Sequence, residues 1–491
     1  MTDFLSYYSS KYYDNFNDEL VRVREKDDMI VYIDEFCREL EKRKPENIKY
    51  LGHRFDDGRS RHRYLNRGRK KKGAKAEDET KLISIHPTVA RLVIFRFEVK
   101  FDDKISIEEM PIYIPMLIDK YHYMIRGNKY ITPFQLSDSV TFSSKDNIVV
   151  FKGLNRAIKM SRRWISFKDV FGEEYWGYAF ENSISRLKVS TLLFFFAHYG
   201  FVRTLRYFNV YNYVKFFDTP PEEPDDEFTY FKFGYDLFIG VNKQMFETDQ
   251  HLKNFIVTMM LLNKRGMNLE MVQDNIYWLR ILGLMVGASQ DDVKRGREWL
   301  KTFITIADER SLRILNAKND WVEIDDTFGV MKWMFFRFDI LNAKSSGLQN
   351  KRLRLGEYLV NPVKQNMNAA FYRFMNVRKN NDINRLQNIF KINPMIIIDS
   401  MIGKSKSNST NITKYSGRVN DLCIIQALKF TKSGPGSPFE RMGSKRVGNQ
   451  HREFDPSYVG KVCLMSTPTS DPGISGILTP FVKIDELMQF K

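Results

Sequence analysis

The sequence predicts an α+β, multidomain fold. Three observations carry that reading. Residues 81 to 142 are rich in strand-like alternation, whereas residues 158 to 345 carry apolar positions at helical spacing between loops. A chain of 491 residues with 43% apolar content can also bury the cores of two to four compact units. Its 77 Lys+Arg against 60 Asp+Glu leave a formal net charge of +17, which favours polyanionic partners through long-range attraction and counterion release. The three cysteines, Cys37, Cys423 and Cys463, show no C-x-x-C spacing, so neither a disulfide framework nor a cysteine zinc site is supported. No apolar run is long enough to span a bilayer and the N-terminus lacks a signal pattern, so a soluble, intracellular protein without a membrane partner is expected.

Taken in order, Met29, Ile33, Phe36 and Leu40 fall on one helical face, and Pro45 stops that helix. From His53 to Lys75 the chain is densely basic and broken by Gly58, Gly68 and Gly73, which reads as a loop or hairpin suited to phosphate contact. Strands follow at Leu82–Ile85, Leu92–Phe101 (alternating from Phe95), Glu109–Met116 and Tyr121–Ile125, with a turn at Gly127–Asn128. Ser190 or Thr191 suits the N-cap of an apolar helix. Pro220–Glu227 reads as an exposed acidic loop, and helices are expected near Leu252–Asn263 and Asp291–Ile306. In Lys351–Leu355, alternating cations and leucines should set charge on one side and core on the other; Lys404–Lys414 reads as a polar surface loop.

Catalytic signatures are missing. There is no Walker A loop, no H-E-x-x-H and no G-x-S-x-G. Asp56-Asp57 lacks the alternate spacing of a two-metal carboxylate loop and is assigned to a turn, while His53 and His62 flank arginines that oppose a metal. Binding chemistry remains. Lys429, Lys432, Arg441, Lys445, Arg446, Arg452 and Lys461 surround glycine turns, where backbone N–H groups can approach a phosphate and the cations can neutralise it.

The last part of the chain resembles the fork-loop region of the β subunit of multisubunit RNA polymerases. Its Gly434-Pro435-Gly436 turn, basic loop, Pro456…Gly460-Lys461-Val462-Cys463 run and Ser466-Thr467-Pro468 turn stand in that family's order. Two further matches precede it: Ile114-Pro115-Met116 with Tyr123–Gly127 and Gln135, and Gln349–Glu357, similar to the family's "G-N-R/K-R-I/L-R-x-x-G-E" element. Departures are clear. Lys129 and Tyr130 replace a Glu-Arg pair, the leading glycine of the third element sits at Gly347, and Ser466–Ser470 has lost both acids of "E-T-P-E-G".

The resemblance implies the N-terminal half of a split β subunit, as in the RNA polymerases of giant bacteriophages. It implies a protrusion domain (1–157), a lobe (158–345), a return to the protrusion (346–419), a fork region (420–450) and the start of an external, hybrid-binding domain (451–491). It implies nucleic-acid contacts from Arg352, Lys429, Lys432, Arg441, Lys445, Arg446 and Lys461, with no catalytic or metal-binding residue on this chain. Partners would be the C-terminal β half, β′-like subunits holding the Mg²⁺ aspartates, template DNA, nascent RNA and a σ-like promoter-specificity subunit, in the cytoplasm of an infected bacterium. The rival is a free-standing basic nucleic-acid-binding or virion protein without polymerase partners.

Overall fold

The computed structural model describes residues 27–43, 47–56, 88–101, 104–118, 121–154, 156–184, 187–234, 236–263, 267–287, 291–317, 323–343, 347–376, 392–403, 413–415, 429–432, 454–467, 474–479 and 482–490. The chain divides into two units, one of residues 1–139 and 346–491, the other of residues 140–345. The fold is α+β, as the pattern predicts.

In the first unit, helix α1 (Met29–Arg43) buries Met29, Ile33, Phe36 and Leu40, together with Tyr32 and Cys37. It packs on β1 (Ile48–Phe55), which joins β2 (Ala90–Phe101) and β3 (Lys104–Pro115) in an antiparallel sheet. The alternation read from Phe95 onward is real: Phe95, Phe97 and Val99 are buried, and Lys100 is exposed. Next come β4 (His122–Ile125), β5 (Asn128–Ile131) and β6 (Phe134–Asp138). The β4–β5 turn lies one residue upstream of the expected position. Ile125 pairs with Asn128, so Arg126 (φ 52°) and Gly127 (φ 77°) form the turn. Positive φ at both central residues is the type I′ turn, whose twist matches that of the paired strands, and Gly127 adopts it freely.

In the second unit, β7 (Thr141–Lys145), β8 (Ile148–Lys152), β9 (Ala157–Lys168), β10 (Glu174–Ile184) and β11 (Leu187–Ser190) form one antiparallel sheet in the order β11-β10-β9-β8-β7. Helix α2 (Thr191–Tyr199) starts where expected, but neither hydroxyl caps it. Both are buried and serve tertiary bonds instead: Ser190 Oγ donates to the Thr258 carbonyl (2.9 Å) and Thr191 Oγ1 to Asn182 Oδ1 (2.6 Å). A smaller sheet of β12 (Val214–Phe217), β13 (Phe228–Lys232) and β14 (Phe238–Asn242) follows the acidic loop, whose residues 222–227 are exposed. The expected helices are α3 (Gln250–Met260) and, after α4 (Asn275–Val286), α5 (Asp292–Ile304). Helices α4 and α5 cross at two glycines: a Cβ on Gly283 would lie 1.8 Å from the Asp292 carbonyl oxygen, and one on Gly296 2.1 Å from that of Leu279. Helix α6 (Phe338–Asn342) closes the unit. The sequence reading of this region as helices joined by loops therefore missed its strands, above all the long β9–β10 hairpin.

The chain returns to the first unit through β15 (Lys351–Arg354), α7 (Gly356–Leu359) and α8 (Asn361–Asn376). Short strands β16 (Lys414–Tyr415), β17 (Lys429–Thr431) and β18 (Ser475–Ile477) complete it. The Leu82–Ile85 strand, the basic loop beyond Asp56, residues 404–412 and the glycine turn at 434–436 lie outside the described residues.

Candidate nucleic-acid interface

One sheet gathers segments from four distant parts of the first unit. Its order is β15-β6-β17-β18, with β6 antiparallel to β15 but parallel to β17. Gln135, the Gln349–Glu357 element and Lys429–Lys432 thus become neighbours, although nearly 300 residues separate the first from the last. The tail joins on both sides. The Leu353 N–H donates to the Met488 carbonyl (2.8 Å) beside an Arg352–Gln489 bridge, and Val462 bridges to Leu478 just past β18.

The heart of this sheet is ionic. Arg352 donates to both oxygens of Glu357, from Nη1 at 2.7 Å and Nη2 at 2.9 Å, in the bidentate geometry that suits guanidinium and carboxylate. Arg354 reaches the same carboxylate at 3.5 Å, and its Nε donates to Gln135 Oε1 at 2.9 Å. Arg352 and Arg354 are only 8% and 6% exposed. Burial by itself would raise the Glu357 pKa. The charges of Arg352, Arg354 and Lys364 outweigh it and hold the carboxyl well below its ordinary range. The alternation of β15 therefore separates two faces as read, but its cationic face is buried too. The tail and β6 cover both edges of the strand, and Glu357 supplies the countercharge that makes buried arginines tolerable.

Further along the sheet, Lys351 Nζ donates to Asp138. Lys432, 7% exposed, stands near this pair with its Nζ 6.0 Å from the Tyr458 ring centre. Burial, aided by Lys351 and opposed by Asp138, pushes the Lys432 pKa down to about 8. At pH 7 the side chain is still mostly protonated. Tyr458 is fully buried on a short turn (Pro456–Tyr458) capped by Asp455, whose Oδ1 accepts from the Ser457 N–H at 3.0 Å. Ser457 Oγ in turn accepts from the Leu348 N–H at 2.8 Å, tying this turn to the entry of β15. The glycine of the P-x-x-x-G run has its physical reason: Gly460 sits at φ 75°, and the Lys461 carbonyl then accepts from the Thr479 N–H at 2.9 Å.

Of the residues singled out from the sequence, Arg352, Lys429 and Lys432 lie on this one sheet, and Lys461 lies on the turn that closes against its edge. Lys429 and Lys461 are half-buried, whereas Arg352 and Lys432 point into the protein. Arg441, Lys445 and Arg446 lie outside the described residues, between the end of β17 and Phe454. His53 Nδ1 lies 2.8 Å from Asp34 Oδ2, within hydrogen-bonding distance. Among the described residues, no three His, Cys, Asp or Glu side chains gather as a metal ion would require.

A second cluster, in the other unit, escaped the sequence reading. At the tip of the β9–β10 hairpin, Asp169 Oδ1 accepts from the N–H groups of Phe171 (2.9 Å) and Glu173 (2.8 Å), and Gly172 takes φ 94°. One face of the ribbon packs inward, with Phe167 and Tyr175 against Phe231. Gly177 leaves room for α3, since a Cβ there would lie 2.6 Å from Val257. The other face displays Trp164 and Trp176, which are 52% and 47% exposed. Their near-parallel rings lie 6.5 Å apart, and Tyr178 meets Trp164 edge to face at 4.6 Å. The missed signal was two tryptophans whose positions fall on one strand face, 164 with 166 and 176 with 178. Tryptophans on a solvent face break the apolar-in, polar-out alternation by which a strand is recognised.

The buried ion cluster has a consequence for acid stability. Because the folded-state pKa of Glu357 is depressed, its contribution is complete above the unfolded value of about 4.3 and is lost as pH falls through the folded value. Glu357→Gln should lower stability at pH 7 by about 3–5 kcal/mol, since it leaves two buried guanidiniums without a countercharge. It should also flatten the acid limb of the stability curve, as measured by chemical denaturation from pH 3 to pH 8. A variant as stable as the parent would remove this cluster from the core.

A family model described as non-virion RNA polymerase subunit matches residues 9–489 of this sequence. No curated protein matches the chain.

Proposed function

This chain belongs to the non-virion RNA polymerase subunit family, and we propose that within such an enzyme it is the β-like N-terminal component. In this reading it holds nucleic acid beside an active centre whose Mg²⁺ aspartates stand on a β′-like subunit. Its other partners are a C-terminal β half, template DNA, nascent RNA and a σ-like subunit. The observation that carries the reading is the four-segment sheet. Parts of the three sequence elements that resemble β chains, Gln135, Lys351–Arg354 and the Pro456–Cys463 run, are far apart in sequence and fold together around it, with Lys429–Thr431 as a neighbouring strand. The rest of the first element lies elsewhere: Ile114 and Pro115 end β3 and Tyr123–Ile125 lie on β4, in two other sheets.

The exposed tryptophan ribbon supports the nucleic-acid part of the proposal. A base has a π-face whatever its identity, so paired aromatic rings accept unpaired strands without sequence preference, at about 1–3 kcal/mol per stacked base. The tryptophan face of the ribbon also carries Lys168, which is exposed, on a chain of net charge +17, while Arg163 lies on the other face and pairs with Glu181 at 3.3 Å. Buried Arg352 contributes differently. Its guanidinium is committed to Glu357, so its part is to hold β15 in place.

Two experiments follow. Replacing Trp164 and Trp176 together by Ala should weaken binding of single-stranded oligonucleotides by about 10- to 100-fold in anisotropy titrations and leave duplex binding largely intact. Equal losses on both substrates would contradict a stacking role. In the enzyme assembled with its partner subunits, Arg441→Glu should depress template-dependent RNA synthesis more than subunit association. A variant that synthesises RNA normally would remove the fork assignment.

A further inference from the structure

Arg162 stands on the tryptophan face of β9, two residues before Trp164, and is only 14% exposed. Three elements of the second unit hold it. Its Nε donates to Asn147 Oδ1 at 2.8 Å, and its own N–H donates to the Asn147 carbonyl at 3.1 Å. Asn147 itself stands at φ 62° in the β7–β8 turn, a conformation that asparagine tolerates better than most residues. Nη1 donates to Asp339 on α6. The guanidinium carbon Cζ then lies over both rings, 4.4 Å from the Tyr178 ring centre and 5.1 Å from that of Phe338. Tyr178 is the ring that Trp164 meets edge to face, and Trp164 is the ring that runs near-parallel to Trp176. An unbroken series of contacts thus leads from Asn147 and Asp339, through Arg162 and Tyr178, to the exposed indoles.

We propose that Arg162 is the positioning residue of the tryptophan platform, clamping Tyr178 so that Trp164 and Trp176 hold a fixed spacing for two neighbouring bases of an unpaired strand. The inference rests on the stacking reading given above. The chemistry demands arginine. A planar guanidinium can lie over a phenol ring while its edge donates in plane to Asn147 and Asp339; an ammonium cannot do both at once. Preorganisation matters here because free indoles on a two-stranded ribbon would lose rotamer entropy on binding, and a clamped neighbour removes part of that cost before the strand arrives.

Three variants of the full chain, titrated with fluorescently labelled oligo(dT) at several salt concentrations, separate the possibilities. Arg162→Lys keeps the charge and loses the planar clamp, and it should weaken binding about five- to tenfold with an unchanged salt slope. Asp339→Asn opens the clamp from the other side. Asp339 is 79% exposed, so this change should fold normally, and it should weaken binding in the same sense. If Arg162 instead contacted phosphate, Lys would substitute for it and Asp339→Asn would leave binding equal or tighter. Either of those results overturns the positioning role. Trp164→Ala is the independent control. If it binds as tightly as the parent, the stacking reading itself fails; if it binds weakly while Arg162→Lys and Asp339→Asn bind normally, only the clamp is lost.

Discussion

The first unit depends on one electrostatic constraint, two arginines that are tolerated inside because a single carboxylate answers both. Arg352 and Arg354 occupy successive same-face positions of β15, and Glu357 stands just after that strand in the first turn of α7. An isolated guanidinium at this depth would cost several kcal/mol, so strand, turn and helix are acceptable only together. The cluster also reaches beyond its own segment. Gln135 on β6 accepts from Arg354, Lys364 on α8 adds its field at Glu357, and the Gly356 N–H donates to Asp27 just before α1. With β17 and the tail hydrogen-bonded to the same strands, contacts across more than 300 residues of sequence become mutually conditional.

The second unit solves a different problem, how to keep two large indoles in water. The inner face of the β9–β10 ribbon is secured by Phe167, Tyr175 and the close approach allowed by Gly177, so the outer face can carry tryptophans without loss of register. Indoles that could pack inward would normally do so. Leaving two near-parallel and half-exposed is the arrangement expected of a surface that meets another flat π-system.

Much of the fold was legible where a single period governed a whole segment. Met29, Ile33, Phe36 and Leu40 mark α1 because one face is apolar and the other is not, and Phe95, Phe97 and Val99 mark β2 for the same reason. Legibility failed where tertiary context reversed the rule. The cations of β15 were legible as alternating, but no local pattern signals that Glu357 and the tail bury them. In β9, charged and serine residues around Trp164 hid the strand. The turn at Arg126–Gly127 was misplaced because a non-glycine residue took the left-handed position. At the candidate site, residue types were readable and their depth was not. Arg352 and Lys432 read as contact residues, yet the structure makes one a pillar of the core and sets the other 7% exposed beside a buried phenol.

Amide hydrogen exchange on the Glu357→Gln protein tests the interdependence of these segments most directly. If the buried carboxylate binds the unit together, protection should fall jointly in Phe134–Asp138, Lys351–Arg354, Lys429–Thr431 and the 482–490 tail, while the β2–β3 hairpin retains its own. Loss confined to Lys351–Arg354, with β17 and the tail exchanging as in the parent, would contradict that view and leave the four segments as independent neighbours.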